Sequence, residues 1–489
     1  MSYKHGVYGA FADSISGIAE KGNTVAVYVG IAPVNLIRGF GAYVNAPVVL
    51  NNFDDVKRFF GYSSDWDTFD LCEAFKLHFD NPAGNIGPIV AINVLDPATH
   101  KTKSDTTESL TFVNGRAYIN SDKIVLDSIK LSDKVEGKDY SVSYDFNQGR
   151  AILSSIGEAI TGSVNVTYST VDTSAIDETV IIGEATDDGK YSGLGCVSLI
   201  YPEWGLIPNL ILSPGWSNTT AVFKAMVSAA TNINGHWFAK VYADIPLADN
   251  GSMVDTRAKA KKWAEDNGYR VTDSADPGWP MFTGTDGNIY HASTMRAWRQ
   301  MQVDAENGGL PMETTDNKAI PIAGLYFGDS NSNRGFDVQG ANDLNADGIF
   351  TACFWGGKWV LWGSHTGAFK HGANNDPRAI FDSNVRMLMH VLNRFQADNA
   401  DVIGKPMTRA MADTIKNREQ EKIDAWAAMG AFIGSPVVEF NQSDNYAGDM
   451  VEGDFVWRFK GTTTPALKSA TMNAAYTTEG INAYFAEEV

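Results

Sequence analysis

The stretch "DLNADGIF" sets Asp343, Asn345 and Asp347 at alternate positions ahead of Gly348. An oxygen-lined calcium loop opens in this way. With Asp343 as the first ligand, the twelfth position is Phe354, where such a loop needs a bidentate carboxylate. The run "TACFW" reads as a strand leaving a turn at Asp347-Gly348, so the expectation is a turn. A second candidate is "SPGWSNT", Ser213–Thr219, placed between an apolar strand and a helix start. Exposed N–H groups at such a junction attract anions. The chain has no GxGxxG, GxxxxGK[ST] or GxSxG pattern to support it. An α/β enzyme with a ligand loop at Ser213–Thr219 is therefore the minor reading.

The eight histidines are scattered, without HExxH or an i, i+4 pair. His390, inside "VRMLMHVLNRF", is expected as a core or interface residue. The three cysteines, Cys72, Cys196 and Cys353, are far apart and read as buried free thiols. The segment "CFWGGKWVLWGSHT" reads as a hairpin over Gly356-Gly357, with Trp355, Trp359 and Trp362 buried. No catalytic residue, cofactor or metal is expected.

Positioning such groups takes a large scaffold, and the composition provides one. The 489 residues are 44% hydrophobic and only 20% charged, which predicts a well-packed globular chain. A net charge of −19, spread along the chain, argues against nucleic-acid binding. No apolar run approaches the ~20 residues that span a bilayer, so no membrane partner is expected. "MSYKHGVYGAFADSISG" lacks the long apolar core of a signal peptide, so synthesis in a cytoplasm is expected.

The elements read as α/β. "TVAVYVGIA" (Thr24–Ala32) and "GPIVAINVL" (Gly87–Leu95) are apolar runs suited to strands buried on both faces. Between them lie a helix from "NNFDDVKRFFG", capped by Asn51 or Asn52, and a second over Thr68–Phe79. From His100 to Ile182 the texture becomes Ser/Thr/Asp-rich with alternating runs, "SVSYDF" and "SVNVTYS", and an Asn114-Gly115 turn. That predicts an inserted antiparallel β-sandwich. The α/β pattern resumes with "IPNLILSPG", "TTAVFKAMVSAATN", "HWFAKVYADIP", "VDTRAKAKKWAEDNG" and a helix over Ser293–Glu306. Two helices, Pro377–Gln396 and Thr408–Gly430, precede closing strands. The expected divisions are an N-terminal arm 1–22, core 23–99, insertion 100–182, core 183–370, helices and strands 371–472, and a C-terminal arm 473–489.

Six segments, in order, resemble contractile-tail sheath proteins of myophages and R-type bacteriocins. They are "GVYGAFADSISGI", "PVVLNNFDDVKRFFG", "IPNLILSPGWS", "HWFAKVYADIP", "LNADGIF" and "WVLWGSHTGA". The last is similar to the family's "fWGsRT", with His365 where arginine is usual, and "LNADGIF" resembles an "LN-x-x-GI" hairpin. The resemblance runs from Gly6 to Tyr484 and leaves out the insertion.

The resemblance implies a virion structural protein, made and assembled in a bacterial host cytoplasm. Its partners would be copies of itself, in a helical homopolymer of hexameric rings, with the tail tube and the baseplate and tail terminator proteins. Contraction would drive the tube through an envelope. An R-type bacteriocin or other contractile injection system is the alternative setting. The core, built from both ends of the chain, would face the tube. Terminal arms would add strands to neighbours, and the candidate arm residues are Val7, Tyr8, Ile481, Ala483 and Phe485, the last three alternating as in a strand after Gly480. Arg409, Lys416, Arg418 and Lys422 in "MTRAMADTIKNREQEKIDAW" form a local basic face and are candidates for tube contact.

Overall fold

A computed structural model describes residues 24–157, 160–328 and 335–485. The candidate arm residues Val7 and Tyr8 lie outside these. Along the chain come β1 (Ala26–Gly30), β2 (Pro47–Leu50), α1 (Phe53–Phe59), α2 (Leu71–Phe79) and β3 (Ile89–Asn93). Six strands follow: β4 (Thr106–Phe112), β5 (Arg116–Ile119), β6 (Lys130–Leu131), β7 (Tyr140–Asp145), β8 (Arg150–Ser155) and β9 (Gly162–Tyr168). Then come α3 (Glu178–Ile182), α4 (Ile200–Trp204), β10 (Leu210–Leu212), α5 (Thr220–Ala230) and β11 (Lys240–Asp244). A small hairpin, β12 (Ala248–Asp249) and β13 (Ser252–Met253), leads to α6 (Arg257–Asp266), β14 (Ala275–Gly278), β15 (Met281–Gly284), β16 (Ile289–Tyr290) and α7 (Ala292–Glu306). The last part holds β17 (Ile322–Tyr326), α8 (Val338–Asn345), β18 (Thr351–Trp355), β19 (Lys358–Trp362), α9 (Asp382–Asp398), α10 (Arg409–Ala428), β20 (Phe432–Glu439), α11 (Ala447–Glu452), β21 (Arg458–Thr463) and α12 (Glu479–Phe485).

The centre is a six-stranded sheet in the order β14-β11-β10-β1-β3-β2, parallel except for the edge strand β2. Every residue of β1, β3, β10 and β11 is buried, because helices cover both faces of a parallel sheet. That is why these strands are unbroken apolar runs rather than alternating ones. Local signals start the helices. Asn52 accepts from Asp55 N at α1, Asp177 from Val180 N at α3, and Thr408 from Met411 N at α10.

Residues 106–168 form two three-stranded antiparallel sheets, β4-β9-β6 and β5-β8-β7. They share an apolar cluster that includes Tyr140, Leu153 and Val166. Asn114 and Gly115 take the positive φ of a tight turn, yet β4 and β5 then part into different sheets. The ends of this unit meet where Asp172 N donates to His100 O at 3.0 Å. The unit joins the main core through Val125 and Val171, and Ile176 and Ile181 further along pack in the same cluster.

A third cluster, with Met387 of α9, Ile423 of α10 and Phe432 of β20, builds the C-terminal part. Beyond β21 the chain runs exposed to α12. In the single chain Ile481, Ala483 and Phe485, expected as strand residues in contact with a neighbour, are helical. Bonds of the i→i−4 kind are the local way to satisfy the backbone of such a segment.

Candidate functional site

In doubly wound sheets ligands bind where the strand order reverses, outside the carboxyl ends of the strands. Here that point lies between β1 and β10, and the chain's own side chains fill it. Asp70 reaches into the crevice from the start of α2, accepting from Ile31 N at 2.8 Å and from Trp216 Nε1 at 2.7 Å. Gly30 makes room for it, since a Cβ there would sit 2.0 Å from Asp70 Oδ1. Burial pushes the Asp70 carboxyl up to about 7. The "SPGWSNT" loop is used up in the same packing. Ser213 Oγ donates to Val29 O at 2.7 Å, and Ser217 Oγ donates to Asp244 Oδ2 at 3.1 Å. Both serines are wholly buried. The enzyme reading of Ser213–Thr219 is corrected on this ground, because its hydroxyls already serve the core.

The network continues to the start of α7. Asp244 accepts from Ser293 N at 2.9 Å, and Glu73 accepts from His291 N at 2.8 Å while its other oxygen lies 2.6 Å from His291 Nδ1. Carboxylates at a helix N-terminus answer its unpaired N–H groups. Burial works against protonating His291, but Glu73, with Asp244 and Asp70 behind it, outweighs burial and raises the imidazole to about 9.

A second buried network ties α9 to the sheet. Lys240 of β11 lies 2.8 Å from Asp276 and 3.4 Å from Asp382, the first residue of α9. Arg296 of α7 approaches the same two carboxylates at 3.0 and 3.4 Å and stacks over Tyr242 and Phe350. Tyr242 OH donates to Asp382 Oδ2 at 3.0 Å. One helical turn on, Arg386 pairs with Asp304, which also accepts from Thr24 Oγ1 and Gln300 Nε2. Lys240, Arg296 and Arg386 thus face Asp276, Asp304 and Asp382, three cations against three carboxylates. Burial pushes Asp276 up. Burial opposes Asp382 too, but Lys240, Arg296 and Arg386 overcome it and hold that carboxyl low. Sequence reading missed this site. Its signal was single charges inside apolar runs, Lys240 in "HWFAKVYADIP" and Arg386 in "SNVRMLMHVL".

The acidic "DLNADG" segment is the end of α8 and the turn after it, rather than the hairpin its resemblance suggested. Its carboxylates meet cations: Lys261 Nζ lies 2.7 Å from Asp343 and 3.2 Å from Asp347, and Arg270 Nη2 lies 2.8 Å from Asp347. Gly348, at φ 71, has no room for a side chain, since a Cβ would sit 2.4 Å from Thr366 O. The hairpin lies just beyond, as β18 and β19 over Gly356-Gly357. Its tip is more open than expected, with Phe354 and Trp355 more than half exposed. His365 is buried between Phe369 and Phe381, with ring centroids 3.6 and 5.2 Å away, and burial lowers it to about 4. A neutral stacked ring thus stands where the resemblance has arginine. His390 packs edge-on against Trp426, and all three cysteines are buried and free.

On α10 the four candidate cations all meet partners within the chain. Lys422 bridges Asp398 of α9 at 2.9 Å and Glu419 at 2.7 Å, and Arg418 donates to Asn399. Lys416 lies 3.8 Å from Asp413, and Arg409 pairs with Asp413 at 3.2 Å while remaining the most exposed of the four. These cations mostly join α10 to α9 and to its own carboxylates. Next to α10, β20 and β21 form a two-stranded sheet with no further strand among the described residues. Ile433 and Val437 stay partly exposed on it.

No family model matches the chain. The tail sheath protein of Burkholderia phage BcepMu is 22% identical over 416 residues, covering 80% of this chain and 82% of the phage protein. A chain of the anti-feeding prophage baseplate superposes with a TM-score of 0.54 at 11% identity, covering 98% of this chain and 100% of that one. The contracted sheath complex of the extracellular contractile injection system PVC gives 0.54 at 11% identity, over 98% and 99%. The chain is similar to a tail sheath protein in sequence and shares its fold with components of contractile injection systems.

Proposed function

We propose that this chain is a structural subunit of a contractile sheath, of a phage tail or a related injection system. The observation that carries the reading is the sequence likeness to a tail sheath protein over most of both chains. The six-stranded core and the C-terminal cluster act as one body, joined through the buried charges around Asp382. Subunits stack as hexameric rings around a tail tube, between a baseplate and a terminator, and shift cooperatively to a shorter, wider array. That shift draws on packing set during assembly, so it needs no nucleotide. The two-sheet unit of residues 101–171 decorates the outside as an inserted β-sandwich.

The terminal arms tether neighbours. The open sheet of β20 and β21 is a ready acceptor, because an isolated two-stranded sheet is marginal and has free edges. The segment after β21 is a suitable donor, since Leu467, Met472, Tyr476, Tyr484 and Phe485 are all more than three-quarters exposed. On entering a neighbour's sheet, Ile481, Ala483 and Phe485 would exchange helical bonds for ladder bonds.

Electron micrographs of the purified protein test the reading. Long tubes are expected, with none from a protein lacking residues 476–489 that still unfolds cooperatively. A small closed oligomer at high concentration, or tubes from the truncated chain, would count against it.

A further inference from the structure

The chain holds five Asn-Gly pairs, at Asn114, Asn234, Asn250, Asn267 and Asn307. An asparagine followed by glycine can modify itself, because the glycine nitrogen is uncrowded and lies near the side-chain amide carbon. The fold treats the five pairs in two different ways.

Three are held at both reacting atoms. Asn234 Nδ2 donates to Ser198 O at 2.7 Å, Asn267 Nδ2 to Trp263 O at 2.9 Å, and Asn307 Nδ2 to Val303 O at 3.0 Å. The glycine that follows each is held too. Gly235 N donates to Asn232 O, Gly268 N to Glu265 O and Gly308 N to Ala305 O. Asn114 and Asn250 are exposed, and neither side-chain amide has a hydrogen-bond partner among the described residues. Gly115 N and Gly251 N have none either. Each pair forms the two-residue tip of a hairpin, between Val113 and Arg116 or between Asp249 and Ser252. Such tips open locally at little cost.

Asn234 separates hydrogen bonding from the other variables. It is exposed like the two free residues, and its left-handed φ of 55 matches their 50 and 47. Only its amide and the next N–H are tied.

We propose that Asn114 and Asn250 are sites of spontaneous deamidation in the native protein, and that the fold protects the other three pairs. The glycine nitrogen attacks Cγ and forms a new C–N bond. The side-chain nitrogen leaves as ammonia, carrying the proton that the glycine nitrogen gives up, and a cyclic imide remains. Water then opens either carbonyl of the imide, giving Asp or isoAsp. Each event adds a negative charge to a chain already at −19. IsoAsp also lengthens the hairpin tip by one backbone carbon, which breaks the pairing at Val113–Arg116 or Asp249–Ser252.

Peptide mapping of the full chain tests this, after incubation at mildly alkaline pH in native buffer and, separately, in urea. In native buffer Asn114 and Asn250 should gain the mass of an acid first. The other three should lag by about tenfold or more, because two hydrogen bonds must open together before attack. In urea all five should react at rates within a few-fold of one another. Equal native rates at Asn234 and Asn114 would overturn the proposal, as would native protection of either Asn114 or Asn250 to the level of Asn267. A spread in urea as wide as that in native buffer would also overturn it, since the fold would then not be the cause.

Discussion

Arg386 of α9 holds Asp304 of α7 through both terminal guanidinium nitrogens, and both side chains are almost wholly buried. Removing one partner strands the other as a buried charge, which costs about 3–5 kcal/mol. Arg386→Met should therefore lower the unfolding free energy by about that amount in a denaturant titration. Pairing it with Asp304→Leu should recover part of the loss, because the stranded charge is gone while Thr24 Oγ1 and Gln300 Nε2 lose an acceptor. A single variant as stable as the parent would show that the pair is not closed to water.

The Glu73–His291 contact makes stability depend on pH. Its folded pKa of about 9 lies above the ordinary value of 6.5. The native state then holds a proton that the unfolded chain releases, so the contribution is whole below about pH 6.5 and is lost as pH rises toward 9. Denaturation midpoints should fall across that window. In Glu73→Gln the fall should be shallower, and an equal slope in both proteins would remove His291 from the account.

Lys422 and Arg409 should behave differently when reversed. Lys422→Glu would face Asp398 and Glu419 and should destabilise the subunit by about 2 kcal/mol, the worth of hydrogen bonds to charged groups. Arg409→Glu should change stability by less than about 0.5 kcal/mol, as exposed substitutions do. If Arg409 meets an acidic tube, this variant should still impair co-assembly on purified tubes. Normal co-assembly would leave Arg409 as a solvated residue.

Residues 101–171 should be replaceable by a short Gly/Ser linker, since His100 and Asp172 already touch. The deletion exposes Leu36, removes Val125 and Val171 from the main core and takes away the carbonyl partners of Asn35 Nδ2, at about 2 kcal/mol for each apolar side chain. Cooperative melting and tube formation should both survive. A folded deletion protein that builds no tubes would place this unit within the assembling lattice.

These expectations also mark what the amino-acid order disclosed. β1 and β3 were legible because a strand buried on both faces must be a continuous apolar run. The cap at Asn52 was legible because it acts over three residues. That Ile176 and Ile181 pack in the main core was not legible, because their Ser/Thr/Asp-rich surroundings resemble the β-strands before them. Asn114-Gly115 announced a turn, but not that β4 would pair with β9 and β5 with β8, partners distant in sequence. The partners of the α10 charges were hidden for the same reason: Lys422 finds Asp398 across a helix–helix contact. The strand pattern at Ile481 gave no sign of the helix there, because i→i−4 bonds need no partner strand.

The charges around Asp382 have a mechanical consequence. Lys240 projects from the sheet interior, Arg296 from a helix on its face, and both converge on the first turn of α9. With Arg386 fixed to Asp304 one turn later, α9 is pinned at two points and cannot swivel on its own. A load applied to the C-terminal helices would therefore pass straight into the β14–β11 side of the six-stranded sheet, with no joint at the start of α9 to absorb it.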